Sequence, residues 1–198
     1  MPMPSPREIK HIKGGVQVWD YRKTGILPAN GGRIRPLVMV EHIPVIRQMV
    51  GLTDFEVLAR VLKQQGLSLQ AATDASGNVA LYNDLDELCY QARGANSVSC
   101  GVEHMHANIN EPWSKKQLRA SAWLWQYAER EYGIPLRVAK IGGGGGKISV
   151  IKKGHVSHQR VSAAAGYNDR SDPGPGYDWE YVRKAALYYK SKGHFEGC

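Results

Sequence analysis

A chain of 198 residues with a formal net charge of +8, 42% apolar and 22% charged residues has the size and composition of one globular domain, which excludes fibrous and disordered classes. No apolar run reaches the ~18 residues of a membrane span, and Met1 to Lys13 lack the apolar core of a secretory signal, so no membrane insertion is expected and the chain reads as made in the cytoplasm. Cys89, Cys100 and Cys198 lack C-x-x-C spacing, which excludes a disulfide framework and a cysteine zinc site and leaves free thiols.

Residues 1–34, rich in Pro, Gly and basic side chains, read as an arm or short strands packed on a domain of residues 35–192, with 193–198 as a tail. The apolar stretch Leu37 to His42, bracketed by Pro36 and Pro44, predicts a strand buried on both faces, with His42 at its C-terminal end. Thr53 and Glu56 make a capping box, and Val57, Leu58, Val61 and Leu62 share one face, which predicts a helix over about 54–65 stopped by Gly66. Asp74 to Gly77 is a turn into a strand at Asn78 to Tyr82, and Ser97 to Met105 is a second strand containing Glu103.

Ser114 and Gln117 give another capping box, after which Leu118, Ala122 and Trp125 follow at helical spacing until Gly133 and Pro135. Val138 to Ile141 and Lys147 to Ile151 read as short strands around Gly142 to Gly146. That glycine run lacks the Lys-Ser/Thr of a phosphate loop and reads as a flexible loop beside a substrate groove. Asp178 is the expected N-cap of a closing helix. This order of elements implies an α/β sheet with helices on its faces, whose ligand sites gather at strand ends, where His42 falls.

The positive balance calls for a polyanionic partner, and both nucleic acid and anionic cell-wall polymers meet that demand. The basic stretch formed by the lysines and arginines at 115, 116, 119, 137, 140, 147, 152 and 153 is a solvated face that also suits wall polymers. No nucleic-acid-reading motif accompanies it, so a nucleic-acid partner is not expected. Trp113, Trp123, Trp125 and Tyr127 cluster in one segment and could stack on sugar rings, although helical spacing makes Trp125 a core residue first.

The segment from Gly154 to Val182 places Asp172-Pro173-Gly174-Pro175 a short loop after His158, followed by Tyr177-Asp178-Trp179 at a helix start. Upstream, a histidine ends the strand at His42, and Asn96-Ser97-Val98-Ser99-Cys100-Gly101-Val102-Glu103 forms an Asn, Ser, apolar, Gly, apolar, Glu pattern. This joint order, over about residues 35–185, resembles the type 2 N-acetylmuramoyl-L-alanine amidases, relatives of the peptidoglycan-recognition proteins and of many phage endolysins. The resemblance implies a mixed central β-sheet flanked by helices, with Zn2+ held by His42, His158 and Asp172 and a coordination position left for water. It implies that Glu103 moves protons and that Arg170, where the family often has lysine, stabilises the oxyanion. The implied partner is peptidoglycan, cut between N-acetylmuramic acid and L-alanine by a monomeric endolysin that reaches the wall after holin-dependent release. Leu69 and Gln91 depart from the family, standing where some members have a tyrosine and a substrate-facing histidine.

Other assignments stand beside these. His155 competes with His158, which is preferred because His158 and Val161 reproduce the family's His-x-x-Val spacing; His155 would then lie behind the ligands or be exposed. His104 and His106 share a strand face and could join His42 in another metal set, although that face points away from Glu103. His42 alone suits a core position, Asp172 a turn, Glu103 a solvated strand and Arg170 a surface. The rival functions are a peptidoglycan-binding module that does not cut and a cytosolic amidase recycling muropeptides.

Overall fold

The computed structural model describes residues 7–12, 16–44, 53–106 and 109–193. In chain order its elements are β1 (Arg7–Ile12), β2 (Val16–Asp20), β3 (Val38–His42), α1 (Asp54–Gln64), β4 (Ala71–Thr73), β5 (Val79–Leu81), β6 (Ser99–His104), α2 (Lys115–Tyr132), β7 (Lys140–Gly144), β8 (Lys147–Lys152), β9 (Gly154–Ser157), α3 (His158–Ala165) and α4 (Trp179–Lys192). Seven strands form one sheet in the order β1-β2-β5-β4-β6-β3-β9, and β7 and β8 pair separately. The sheet is mixed. β4, β6, β3 and β9 run parallel, while β1 pairs antiparallel with β2 and β4 antiparallel with β5. The stretch read as an arm thus supplies β1 and β2, which extend the sheet through β5.

Alternation along β3 decides what each face carries. Met39 joins Cys100, Val102, Trp125 and Val182 in a core with α2 and α4, whereas Val38 and Val40 pack with Val156 and Val161 beneath α3. A third cluster sets Phe55, Leu58 and Leu62 of α1 against Ala72, Ala80 and Tyr82. Helices therefore cover both faces, each fully buried aliphatic side chain contributing about 1.5–3 kcal/mol. Among the described residues no helix is long and apolar enough to cross a membrane.

The capping signals act as expected, with one difference. At α1 the Thr53 hydroxyl accepts from the Glu56 N–H at 3.3 Å, and Glu56 accepts from the Thr53 N–H at 2.9 Å. At α2 the Ser114 hydroxyl accepts from the Gln117 N–H at 3.0 Å, but the Gln117 amide donates to the Met105 carbonyl instead of returning to Ser114. Trp123 and Trp125 are 1% and 0% exposed, so neither can stack on a sugar ring.

Two elements differ from the sequence reading. The glycine run does not form a flexible loop. Gly142, Gly143 and Gly144 lie within β7 and pair with Ser149, Ile148 and Lys147, because the backbone bonds of a hairpin need no side chains. A Cβ on Gly143 would lie 2.3 Å from the Lys147 carbonyl oxygen, a fit open to glycine alone. The second is α3, absent from the sequence reading. The Ser157 hydroxyl caps it by accepting from the Arg160 N–H at 3.2 Å, and Gly166, at φ 89°, ends it.

Candidate metal centre

Parallel pairing of β3 with β6 sets His42 in register with Glu103, at the C-terminal ends of both strands and on the same face. β9 runs beside β3 and passes straight into α3, so its cap Ser157 is followed by His158 as the first helical residue. The chain then returns to Asp172, which accepts from two backbone donors. Its carbonyl oxygen accepts from the Gln159 N–H at 3.0 Å, and its Oδ2 from the Ile43 N–H at 3.3 Å.

Three of the residues singled out in the sequence thereby meet. His42 Nδ1 lies 2.9 Å from His158 Nδ1 and 3.7 Å from Asp172 Oδ2, and His158 Nδ1 lies 3.1 Å from that oxygen. Tetrahedral zinc with ligand bonds near ~2.0–2.1 Å places its donors roughly 3.3 Å apart, so this triangle has the right edge lengths. Burial, aided by the positive charge of His158, pushes the His42 imidazole down from 6.5 to about 3, which keeps it neutral. Burial alone would raise Asp172, but the His158 hydrogen bond and the two neighbouring imidazoles outweigh it and hold the carboxyl low. Two imidazoles and a carboxylate are a zinc donor set, and the residues fit that ion.

Glu103 is pushed well above 4.5 by burial and by the Asp172 charge, with Arg170 opposing. Its Oε2 is buried with no hydrogen-bond partner among the described residues, an arrangement suited to a group that exchanges protons. Arg170 stands at the rim. Its side chain is 54% exposed, its Nε is 3.9 Å from Asp169, and with His158 it lines a cleft of about 410 Å3 shared by Gln91, Arg93, Asn96 and Tyr167.

The rival histidines lie on the other face. His155 is fully buried, and its Nδ1 is 3.3 Å from Glu41 Oε1; it is neither a ligand nor exposed. His104 Nε2 meets Glu41 Oε2 at 2.8 Å, and Trp125 Nε1 donates to Oε1 at 2.9 Å. Burial would raise Glu41, but hydrogen bonds from His104 and His155 and their charges bring it down to about 2. Sequence reasoning missed this buried carboxylate. It also missed that Gln91 Oε1 lies 2.7 Å from His42 Nε2. The only local signal for either was a charged or amide residue in an apolar surrounding.

The model of the family described as N-acetylmuramoyl-L-alanine amidase (Amidase_2) matches residues 43–175. The chain belongs to this family. The amidase fold recurs in solved structures at low identity. The endolysin N-acetylmuramoyl-L-alanine amidase LysCS from Clostridium intestinale URNW is similar with a TM-score of 0.61 and 16% identity, over 90% of this chain and 97% of that one. The hydrolase AmiA of Staphylococcus aureus gives 0.62 and 14%, over 89% and 85%. A complex of peptidoglycan recognition proteins LCa and LCx bound to tracheal cytotoxin gives 0.56 and 14%, over 80% and 90%. No curated protein sequence matches the chain. In this amidase the candidate triangle of His42, His158 and Asp172 and the carboxyl of Glu103 lie on the sheet face that α1 and α3 cover.

Proposed function

We propose that the protein is a zinc-dependent hydrolase that cuts the amide between the lactyl group of N-acetylmuramic acid and L-alanine of the stem peptide, acting as a monomeric phage endolysin. The observation that carries this reading is the meeting of His42 Nδ1, His158 Nδ1 and Asp172 Oδ2, with Glu103 in register one strand away. Zinc, when bound, supplies Lewis-acid polarisation of the scissile carbonyl and acidifies water to a pKa near ~7.

The remaining work falls to the chain. Glu103 in its carboxylate form takes a proton from the attacking water and returns it to the leaving amine, and the burial that raises its pKa makes it a better proton acceptor. Arg170 faces the cleft with a permanently charged guanidinium and offsets negative charge on the carbonyl oxygen. The cleft, of a size that holds a sugar and part of a peptide, positions the bond. All three ligands are present, which favours cutting over binding alone.

The test is digestion of purified peptidoglycan followed by mass spectrometry, with and without chelator. Stem peptides beginning with L-alanine and bare glycan strands are expected, and chelation or His158→Ala should abolish both. Intact material after long digestion by zinc-loaded protein would overturn the reading. Cutting of soluble muropeptides with intact walls spared would assign a recycling role.

A further inference from the structure

We propose that Gln91 is a positioning residue that holds His42 in the tautomer able to bind zinc and so sets the metal affinity of the site, an inference that rests on His42 being a ligand. A neutral imidazole carries one hydrogen on either nitrogen, and only the bare nitrogen can ligate. His42 Nδ1 faces the site. One neighbour pulls the wrong way. Asp172 Oδ2, 3.7 Å from Nδ1, is an acceptor that draws the hydrogen there.

A chain of hydrogen bonds opposes that pull, and its direction is settled from the far end. The fully buried Ser99 hydroxyl donates to the Ala95 carbonyl at 2.9 Å, which leaves its oxygen to accept from elsewhere. It accepts from the Gln91 Nε2 amide at 2.8 Å. The amide is thereby oriented with Oε1 toward His42 Nε2, 2.7 Å away. A carbonyl oxygen only accepts, so Nε2 carries the hydrogen and Nδ1 keeps its lone pair.

Gln91 is itself held in place. Asn96 Oδ1 accepts from the backbone N–H groups of Gln91 and Ala92 at 3.2 and 2.8 Å. Its amide lies against β6 where Gly101 has no side chain, since a Cβ there would come within 2.7 Å of the amide carbon. The glycine of the 96–103 motif is thus the seat of the residue that orients the ligand.

The test pairs zinc affinity with the tautomer itself. Affinity is measured by competition with a chromophoric chelator, and the His42 tautomer of the metal-free protein by long-range 15N–1H NMR correlation. Wild type should show hydrogen on Nε2. Gln91→Met, which fills the space without accepting, should lose ten- to a hundredfold in affinity. Gln91→Glu, which can only accept, should stay within about threefold of wild type or exceed it. A purely space-filling role predicts the reverse ranking, because it tolerates methionine and suffers from a carboxylate. Hydrogen on Nδ1 in the wild type, or unchanged affinity in Gln91→Met, overturns the proposal. Wild-type protein that binds no zinc would overturn the metal reading instead, and the NMR spectrum would still decide the tautomer.

Discussion

Glu41 and His42, consecutive in β3, send their side chains to opposite faces of the sheet: one into a buried cluster of histidines and an indole, the other into the candidate triangle with His158 and Asp172. The pleat makes this unavoidable, and it ties the backbone of His42 to an anchored neighbour. Any loosening of the Glu41 cluster moves the strand that presents His42.

Removing that anchor should be costly. Glu41→Ala leaves the donors of Trp125, His104 and His155 facing an apolar gap, and the expected loss is about 3–5 kcal/mol. Urea denaturation of the metal-free protein measures it, and a loss under about 1 kcal/mol would show the cluster contributes little. The pH dependence has a definite sign. Because Glu41 is lowered to about 2 in the folded protein, its contribution is present above the ordinary carboxylate range and is lost as pH falls toward 2.

Glu103 has the opposite sign. Below the carboxylate value of the unfolded chain it is protonated in both states and costs nothing. Above that value the unfolded chain ionises while burial keeps the folded group protonated, so stability falls as pH rises toward the raised value. Metal-free Glu103→Gln should therefore melt above wild type near neutral pH, with the gap closing at about pH 4. The same variant should keep zinc and lose about 10²–10⁴-fold in hydrolysis. An unaltered rate would remove Glu103 from the proton path.

Zinc should raise the melting temperature of the metal-free protein. At a hundredfold excess over the dissociation constant the gain is about 2.7 kcal/mol. His42→Ala, His158→Ala and Asp172→Ala should each erase most of it, and a gain that survives in all three would place the ion elsewhere.

Between Glu131 and Asp169 the chain has no acidic residue, and Arg137, Lys140, Lys147, Lys152, Lys153 and Arg160 occur there. Retention on anionic walls should fall as salt rises from low to physiological concentration, because exposed charges are screened over roughly 10 Å. Lys147→Gln combined with Lys152→Gln should flatten that dependence in a pelleting assay while cleavage of a soluble muropeptide persists. Equal loss of both would place the lysines in the catalytic cleft.

Much of this was legible in the chain, through different signals. Thr53, Ser114 and Asp178 announced three helices because caps are local chemistry. α3 escaped because its eight residues, His158 to Ala165, bury only Val161, Ser162 and Ala165 and give no long periodic stripe. The three residues of the candidate metal triangle were singled out through resemblance. Spacing alone could not select His158 over His155, because which of the two faces His42 depends on where β9 ends and α3 begins. The roles of Glu41 and Gln91 lay beyond reach, since their partners come from segments up to 114 residues away.

His158 opens α3 and Asp172 closes the loop behind it, with the Gln159 amide bracing one to the other. Asp172 Oδ2 also accepts from the Ile43 N–H at 3.3 Å, so this loop already touches the end of β3, the strand that carries His42. A shared ion would add a further fastening between the two. Amide hydrogen exchange in 158–172 should slow on zinc loading far more than in α2, so that the metal governs local opening on one flank while the rest of the domain keeps its own timetable.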